Sequence, residues 1–322
     1  MKSVRNKIIM KYLFVFILGI ICCCKTQAQP IDVSYAIKIG GINQWVSVKG
    51  KDIHDPLLLW LHGGPGGSVM NKADKFTKKL QEDFIVVQWD QRETGKTLDL
   101  NKSPQPLIFS LFQQDTHDII DSLLAQFHYK KLYLVGHSWG TALGFYIADK
   151  YPELLYAYVA ISPMINQRES ERMTLDMLKE NAGRKKEIEE LSAVKIPFEN
   201  GEQLYYDRKW LYAFSGQKLI GITFPKKFVL SWASTWLLVF NEASAINLFD
   251  SAPEIKCPVY FFAGRKDYQT HFAVTEDYYN KLVAPKKQLF WFEQSGHSIP
   301  DSEPELMQDV IITKILPDTL LP

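Results

Sequence analysis

Short apolar runs separated by amphipathic stretches dominate the chain. PLLLWLHGGPGG at 56–67 is a continuous apolar run that ends in glycines, which is typical of a buried strand. Further runs of this kind lie at 83–92, 132–138, 155–163, 259–264 and 289–297. Residues 32–48 alternate in polarity like an opening hairpin, and 110–127 has a helical pattern. The chain is therefore predicted to form an α/β fold, a mainly parallel sheet with helices on both faces.

The strand pattern stops between residues 164 and 253. This stretch contains charged amphipathic segments such as ESERMTLDMLKENAG and aromatic-rich ones such as KKFVLSWASTWLLVF. Both kinds are typical of helices, so we predict a helical cap inserted between two strands of a core made of 29–163 and 254–322. An insertion at the carboxyl end of a strand is expected to cover the crevice where open α/β sheets bind ligands.

The first 28 residues have the pattern of a secretory signal. Basic residues precede the apolar run YLFVFILGIICCC, which is too short for a comfortable membrane span. Thr26 and Ala28 supply small residues for cleavage near Ala28, so we expect an exported protein, periplasmic or secreted. Two alternatives remain open: an uncleaved anchor, and a lipid on one of three adjacent cysteines, Cys22, Cys23 or Cys24.

The amino-acid composition limits the classes of binding partner that this chain is expected to have. Hydrophobic residues make up 46% of the 322 residues, charged residues 23%, and the formal net charge is +1. This near-neutral balance argues against a nucleic-acid partner and leaves membrane contact only to the N-terminal segment. Cys257 is the one cysteine after the signal, so an internal disulfide is excluded, and we expect it to be a small core residue.

Gly136-His137-Ser138-Trp139-Gly140 lies between a predicted strand and a predicted helix. This G-x-S-x-G pattern is that of a nucleophile elbow, a sharp turn that presents the serine hydroxyl above the sheet edge. Glycines two residues before and after allow the close backbone packing that such a turn requires. We therefore expect Ser138 to be a nucleophile rather than a capping serine of an ordinary turn.

A serine nucleophile needs a base and a group that orients the base. Asp267 directly follows the strand VYFFAG, and His297 follows the strand LFWF. The order serine, acid, histidine is that of this architecture, and loops after parallel strands share one sheet edge. We predict a Ser138–His297–Asp267 triad, with Asp277 and Asp250 as alternative acids that do not follow a strand directly.

The glycine-rich run at 62–67 closes the first buried strand. Attack on a carbonyl creates an oxyanion, which preorganised backbone N–H groups stabilise. We assign these donors to Gly64, with Gly63 as the alternative, and to Trp139 after the nucleophile. His62 is expected to brace the loop. A phosphate-binding loop is disfavoured because no lysine or threonine follows in the required place, and no metal-site pattern or cofactor is indicated.

With these residues in place, the chain resembles the α/β-hydrolase superfamily. The motifs that carry the resemblance are LHGGPGG, VVQWDQRETGKT, GHSWG, GRKD and SGH, in that order. The pair formed by 62–67 and Asp90-Gln91-Arg92 resembles the proline iminopeptidase branch, although Glu93 stands where that branch has glycine. The resemblance covers most of 35–315 and implies an α/β-hydrolase fold.

In function, the resemblance implies a serine aminopeptidase that releases an N-terminal residue, often proline, from short peptides. It also implies that acidic side chains, several of them from the cap, bind the substrate amine. Glu242, Glu202 and Glu199 are the candidates in this chain.

Two other functions fit the same residues. One is an esterase, amidase or lactonase with the same catalytic groups acting on a small molecule, and the other is a binding protein that has lost turnover. An intact set of Ser138, Asp267 and His297 argues against the second, and a serine at position 138 argues against aspartate-nucleophile chemistry.

Overall fold

A single eight-stranded sheet forms the centre of the protein. The computed structural model describes residues 28–215 and 225–320, so most of the predicted signal lies outside the described residues. The strands are β1 (Ile31–Ile39), β2 (Ile42–Gly50), β3 (Leu57–Leu61), β4 (Ile85–Asp90), β5 (Leu132–His137), β6 (Leu155–Ile161), β7 (Val259–Gly264) and β8 (Lys287–Phe292). Their order across the sheet is β1-β2-β4-β3-β5-β6-β7-β8.

The sheet is antiparallel at one end and parallel elsewhere. β1 and β2 form a hairpin, and β2 pairs antiparallel with β4. Every later pair, from β4–β3 to β7–β8, is parallel. The predicted mainly parallel sheet is therefore confirmed, and the carboxyl ends of β3, β5, β7 and β8 meet at one edge.

Helices connect the strands and cover the sheet. They are α1 (Asp74–Thr77), α2 (Gly95–Leu100), α3 (Phe109–Phe127), α4 (Trp139–Lys150), α5 (Gln167–Asn181), α6 (Lys185–Ser192), α7 (Gly201–Phe214), α8 (Lys226–Ser244), α9 (Leu248–Ser251), α10 (Phe272–Lys281), α11 (Ile299–Ser302), α12 (Pro304–Val310) and α13 (Leu316–Leu320). Short 3-10 turns lie at Leu80–Glu82 and Pro152–Leu154, and a π-helical segment lies at Ile311–Ile315. Within the described ranges, each helix is too short or too polar to cross a bilayer.

Both faces of the sheet are buried. Along β3, Leu57, Leu59 and Leu61 join a core that includes residues of α3 and α4. Leu58 and Trp60 point the other way, into a core that includes residues of α1 and α12. Successive strand side chains alternate between faces, so a strand covered on both sides must be apolar at every position. This explains the unbroken apolar run that predicts β3.

Helices α5–α9 all stand between β6 and β7 in the chain. They contact loops at the carboxyl edge of the sheet: the Gln167 side chain on α5 donates to the backbone oxygen of Gln269 at 2.8 Å. On α8, the Trp232 indole donates to the backbone oxygen of Pro65 at 2.9 Å. These helices occupy most of the predicted cap at 164–253, whose boundaries stay a prediction.

Candidate active site

Ser138 occupies the turn between β5 and α4 in a strained conformation. Its φ of 53° and ψ of −120° fall in a region that residues other than glycine rarely adopt. The turn is held by the Ser138 N–H, which donates to the Ile161 oxygen at 2.9 Å. Its hydroxyl oxygen lies 2.8 Å from Nε2 of His297. Strain of this kind is characteristic of functional positions that the surrounding structure enforces.

The glycine two residues after Ser138 permits this turn. A Cβ at Gly140 would lie 2.2 Å from the backbone oxygen of Leu61 on β3. The first turn of α4 therefore packs directly against the end of β3, where a side chain would separate them. This contact explains the second glycine of the G-x-S-x-G pattern in physical terms.

Asp267 contacts the His297 ring at Nδ1, the ring nitrogen that does not face Ser138. The two oxygens of Asp267 lie 3.0 and 3.2 Å from Nδ1 of His297, while Nε2 of the same ring faces Ser138. Oδ1 also accepts the N–H groups of Gln269 and Thr270 at 2.9 and 3.0 Å. The Thr270 hydroxyl donates to Oδ2 at 2.8 Å. These donors fix the carboxylate, which fixes the ring.

The charge of Asp267 is strongly favoured. Burial alone would raise the pKa of this carboxyl, which is 2% exposed. The neighbouring His297, its hydrogen bond and the donors of Thr270 outweigh burial and hold the pKa of Asp267 well below its usual range. Asp267 is therefore an anion at all working pH values and stabilises positive charge on His297.

The loop that carries His297 is held by two donors to one carbonyl. The backbone oxygen of His297 accepts from the Ser162 hydroxyl at 2.9 Å and lies 3.1 Å from Nε2 of His137. Sequence reasoning missed both residues. Ser162 directly follows β6, which is the signal that would have indicated it. Burial, and then the proximity of His297, lowers the pKa of His137 to about 4.

This low pKa predicts acid sensitivity of the fold. A histidine with a pKa near 6.5 in the unfolded chain and about 4 in the folded one binds its proton preferentially when unfolded. The contribution of His137 to the free energy of unfolding is therefore fully present above about pH 6.5 and falls as the pH drops toward 4. For His137 we expect a loss of about 2–3 kcal/mol by pH 4.5.

Urea denaturation midpoints between pH 7.5 and 4.5 measure this loss. His137→Gln should flatten the pH dependence, whereas His54→Gln, at an exposed histidine, serves as the matched control. Equal pH slopes for His137→Gln and wild type would contradict the assignment.

The two alternative acids lie elsewhere. Asp277 is on α10, where its exposed carboxylate pairs with Lys281 at 2.8 Å. Asp250, on the short α9, accepts from the side chain of Asn247, which precedes this helix, at 2.6 Å. Asp267 is thus the candidate acid that the structure brings to His297.

The glycine-rich loop after β3 lies against the serine. A Cβ at Gly63 would stand 3.3 Å from Cβ of Ser138, so the loop backbone passes directly beside the nucleophile candidate. Trp139 is the first residue of α4, and the first N–H groups of a helix have no intrahelical acceptor. The structure therefore places both the loop of Gly63 and the start of α4 next to Ser138.

Two tryptophans of α8 contact the glycine-rich loop after β3. The Trp232 indole donates to Pro65, and the ring of Trp236 packs against Gly66, where a Cβ would come within 2.6 Å of it. Gly66 has a φ of +78°. The predicted cap therefore contacts the loop that we assign to the oxyanion.

Gly66→Ala is expected to disturb this contact. The positive φ alone costs about 1–2 kcal/mol for a residue with a Cβ. The clash with Trp236 adds to that cost and displaces the loop, so we expect a further loss of stability and a fall in hydrolytic rate of about tenfold or more.

Gly41→Ala is the matched control for Gly66→Ala. Gly41 has a φ of +83° and no atom within 4 Å of a Cβ built there. The Gly41→Ala variant should therefore lose stability from its positive φ alone and keep the wild-type rate of hydrolysis. Urea midpoints and rates of hydrolysis of any substrate that the wild type turns over measure both effects. Equal losses in both variants would contradict a role for the Trp236 contact.

A cavity of about 310 Å³ adjoins the glycine loop. Its lining consists of residues 64–67, Leu204, Arg208, Tyr212, Phe228, Val229, Trp232, Phe240 and Gln269. Most of these side chains are apolar or aromatic, and Arg208 is the charged residue among them. The cavity is of a size that holds a small molecule or a short peptide residue.

The three predicted amine-binding glutamates are not among these lining residues. Oε2 of Glu242 accepts the N–H of Phe109 at 2.7 Å and so caps α3. Glu202 is exposed and pairs with Lys226, and Glu199 is exposed and pairs with Lys195. The hydrogen bonds from these lysines lower the pKa of Glu202 and Glu199. All three carboxylates have partners within the protein.

A buried ionic cluster behind the cavity was missed by sequence reasoning. Arg208 donates to both oxygens of Glu171 and to Asp207, and both carboxylates are at most 2% exposed. Oδ2 of Asp207 has no hydrogen-bond partner among the described residues. Burial raises the pKa of Asp207 to about 7, although Arg208 opposes this rise. No sequence pattern marks this cluster, because Glu171 and Arg208 lie on different helices.

Two residues of the Asp90-Gln91-Arg92 segment support the fold. Oδ2 of Asp90 accepts the N–H of Lys96 at 2.8 Å at the start of α2. Arg92 is fully buried and forms a two-point ion pair with Asp115, at 2.9 Å for each bond. Within the described ranges, no group of histidine, cysteine and acidic residues is arranged to hold a metal ion.

The sequence is similar to a protein family and to several known proteins. Residues 53–305 match the family model described as serine aminopeptidase, S33. The chain is 28% identical over 321 residues to a probable aminopeptidase, YbaC, of Bacillus subtilis, an alignment that covers 88% of this chain and 96% of the relative. It is 26% identical over 265 residues to a proline iminopeptidase of Heyndrickxia coagulans, covering 77% and 86%.

Solved structures share the fold. A crystal structure of proline iminopeptidase from Mycobacterium smegmatis superposes with a TM-score of 0.66 at 17% identity, covering 89% of this chain and 99% of that one. At this identity the likeness shows the fold alone, which is the α/β-hydrolase fold.

Proposed function

The chain belongs to the serine aminopeptidase S33 family, and from this premise we propose that it is an exported aminopeptidase of the proline iminopeptidase type. It releases the N-terminal residue of short peptides through an acyl-enzyme. The observation that carries the proposal is the line of contacts from Ser138 through His297 to Asp267, beside a glycine loop that also lines the cavity. The aminopeptidase relatives support the choice of substrate.

The proposed reaction starts at Ser138. Its oxygen attacks the carbonyl carbon of the first residue while Nε2 of His297, 2.8 Å away, takes the hydroxyl proton. Asp267 stabilises the imidazolium that forms. The carbonyl oxygen becomes an oxyanion, which we assign to the N–H groups of Gly64 and Trp139.

Collapse of this intermediate breaks the peptide bond. His297 returns its proton to the departing amine nitrogen, and the first residue stays on Ser138 as an ester. Water then attacks that ester with His297 as base, the Ser138 oxygen leaves with a proton from His297, and the free amino acid departs.

An aminopeptidase must also favour a positively charged amine. Arg208 is the member of the buried cluster that lines the cavity, and its positive charge is paired with Glu171 and Asp207, which do not line it. The charge that this cluster presents to the cavity is therefore positive, and it does not attract a substrate amine. Glu242, Glu202 and Glu199 stay the proposed amine-binding residues, although each already has a partner within the protein.

A carboxylesterase, amidase or lactonase is the second candidate. The observation that favours it is the cavity lining, which is mostly apolar and contains no carboxylate. Such a lining suits the acyl group of an uncharged ester, and the same three catalytic groups would perform the hydrolysis.

A rate panel on the purified chain without residues 1–28 tests the choice between the two, with Ser138→Ala as the blank. The panel contains prolyl, alanyl and leucyl anilides, their N-blocked forms and short-chain aryl esters. The proposal predicts cleavage of unblocked anilides and loss of that rate when the amine is blocked. Turnover of esters alone, or equal rates on the unblocked and the N-blocked anilides, would establish the esterase function instead.

Export is proposed from the N-terminal pattern alone. Cells that express the full chain should release the protein with the periplasmic or extracellular fraction. Retention in membranes that only detergent releases would support the anchored or lipidated form, and a location in the cytosol would contradict export.

A further inference from the structure

Gln91 connects the two segments that carry the proposed oxyanion donors. It directly follows β4 and is 1% exposed. Its side-chain oxygen accepts the indole N–H of Trp139 at 3.0 Å. Its side-chain nitrogen donates to the backbone oxygen of His62 at 3.3 Å. One amide group therefore joins the residue after the nucleophile candidate to the residue that begins the glycine loop.

The backbone of Gln91 also fixes the ring of His62. The Gln91 N–H lies 3.2 Å from Nε2 of His62, so this nitrogen must be the acceptor and carry no proton. The ring proton then lies on Nδ1, which is 2.8 Å from the oxygen of Gly63 and donates to it. Burial lowers the pKa of His62 and keeps the ring neutral in this tautomer.

The same Gly63 oxygen closes the glycine loop. It accepts the N–H of Gly67 at 3.2 Å in addition to the His62 ring. The continuous path therefore runs from Trp139 through Gln91 and His62 to Gly63, the neighbour of Gly64. His62 and Trp139 are both at most 1% exposed, so water does not compete for these bonds.

We propose that Gln91, acting through His62, is a positioning residue that holds the Gly64 and Trp139 N–H groups at a fixed separation. The two donors belong to different elements, the loop after β3 and the start of α4. An oxyanion hole works only when its donors are already aligned before charge develops. The inference rests on the oxyanion assignment of the proposed function and extends it to a residue that touches neither substrate nor reacting atom.

Gln91→Leu tests the inference, because it keeps the approximate volume and removes both side-chain bonds. Loss of one oxyanion donor costs about 10²–10³ in kcat, and we expect misalignment to cost about 10- to 100-fold. KM should change little, because the ground-state carbonyl depends less on these donors. Gln91→Glu keeps the acceptor for Trp139 but places an oxygen against the His62 carbonyl, so we expect an intermediate loss of kcat.

Gln88→Leu is the matched control. Gln88 lies on the same strand and is 5% exposed, and neither atom of its amide has a hydrogen-bond partner among the described residues. It should keep wild-type kcat. A purely structural role for Gln91 would lower the urea midpoint and leave kcat of the folded fraction unchanged.

The measurements are kcat and KM on the ester or anilide that the wild type cleaves fastest, and inhibition by phenylboronic acid, which forms a tetrahedral adduct on the serine. The inference predicts that kcat and boronate affinity fall together in Gln91→Leu and, less, in Gln91→Glu. Wild-type kcat and boronate affinity in the folded Gln91→Glu variant would overturn it, even if Gln91→Leu does not fold. Absence of turnover in the wild type would instead refute the proposed function.

Discussion

Ser138→Ala is expected to lower kcat by about 10⁴- to 10⁶-fold on whatever substrate the wild type cleaves. In the proposed mechanism the hydroxyl oxygen forms the ester to the substrate, and no other hydroxyl is placed 2.8 Å from Nε2 of His297 in the described ranges. Some rate over the uncatalysed reaction should remain, because the proposed oxyanion donors and the cavity are untouched.

The fold should tolerate this change. The strained φ of 53° persists in the variant, and the backbone bond from residue 138 to Ile161 does not involve the hydroxyl. Equal urea midpoints for Ser138→Ala and wild type are therefore the control that separates chemistry from stability. A variant that keeps more than about a tenth of the wild-type kcat would contradict a nucleophilic role for Ser138.

Asp267→Asn is expected to lower kcat by about 10⁴-fold with little change in structure. Oδ1 of Asp267 accepts two backbone N–H groups, those of Gln269 and Thr270. An asparagine must keep its oxygen at that position, so its NH₂ group faces Nδ1 of His297. The ring is then forced to accept at Nδ1 and to carry its proton on Nε2, where it cannot take the proton of Ser138.

The exposed acid on α10 provides the control for this variant. Asp277→Asn removes a carboxylate that pairs with Lys281, and we expect a rate within about twofold of wild type. A rate profile against pH measures both variants. The assignment of Asp267 is refuted if Asp267→Asn keeps its rate near neutral pH, or if Asp277→Asn loses as much as Asp267→Asn.

The strands and the order of the three catalytic candidates were readable from the sequence. β3, β5 and β7 are buried on both faces, so each produces an unbroken apolar run. Because β5, β7 and β8 are parallel, the residues that follow them meet at one edge, and Ser138, Asp267 and His297 could be grouped without a structure. The local requirement for glycine at position 140 is a second signal of this kind.

The contacts that support the candidate site could not be predicted from the sequence, because they join residues far apart in the chain. The bond from Ser162 to the His297 carbonyl and the bond from Trp232 to Pro65 leave no spacing pattern. The amine-binding residues stay a prediction for a related reason. The exposed glutamates Glu202 and Glu199 resemble binding groups in a sequence, but nearby lysines already pair with them.

Detection of the acyl-enzyme tests the central claim most directly. The wild type would be mixed with the unblocked prolyl nitrophenyl ester, quenched in acid after milliseconds and analysed by peptide mass spectrometry. The account predicts one prolyl group on the peptide that contains Ser138, and much less adduct from the N-blocked ester. Absence of the adduct, its location on another residue, or equal labelling by the blocked ester would contradict an aminopeptidase that acts through Ser138.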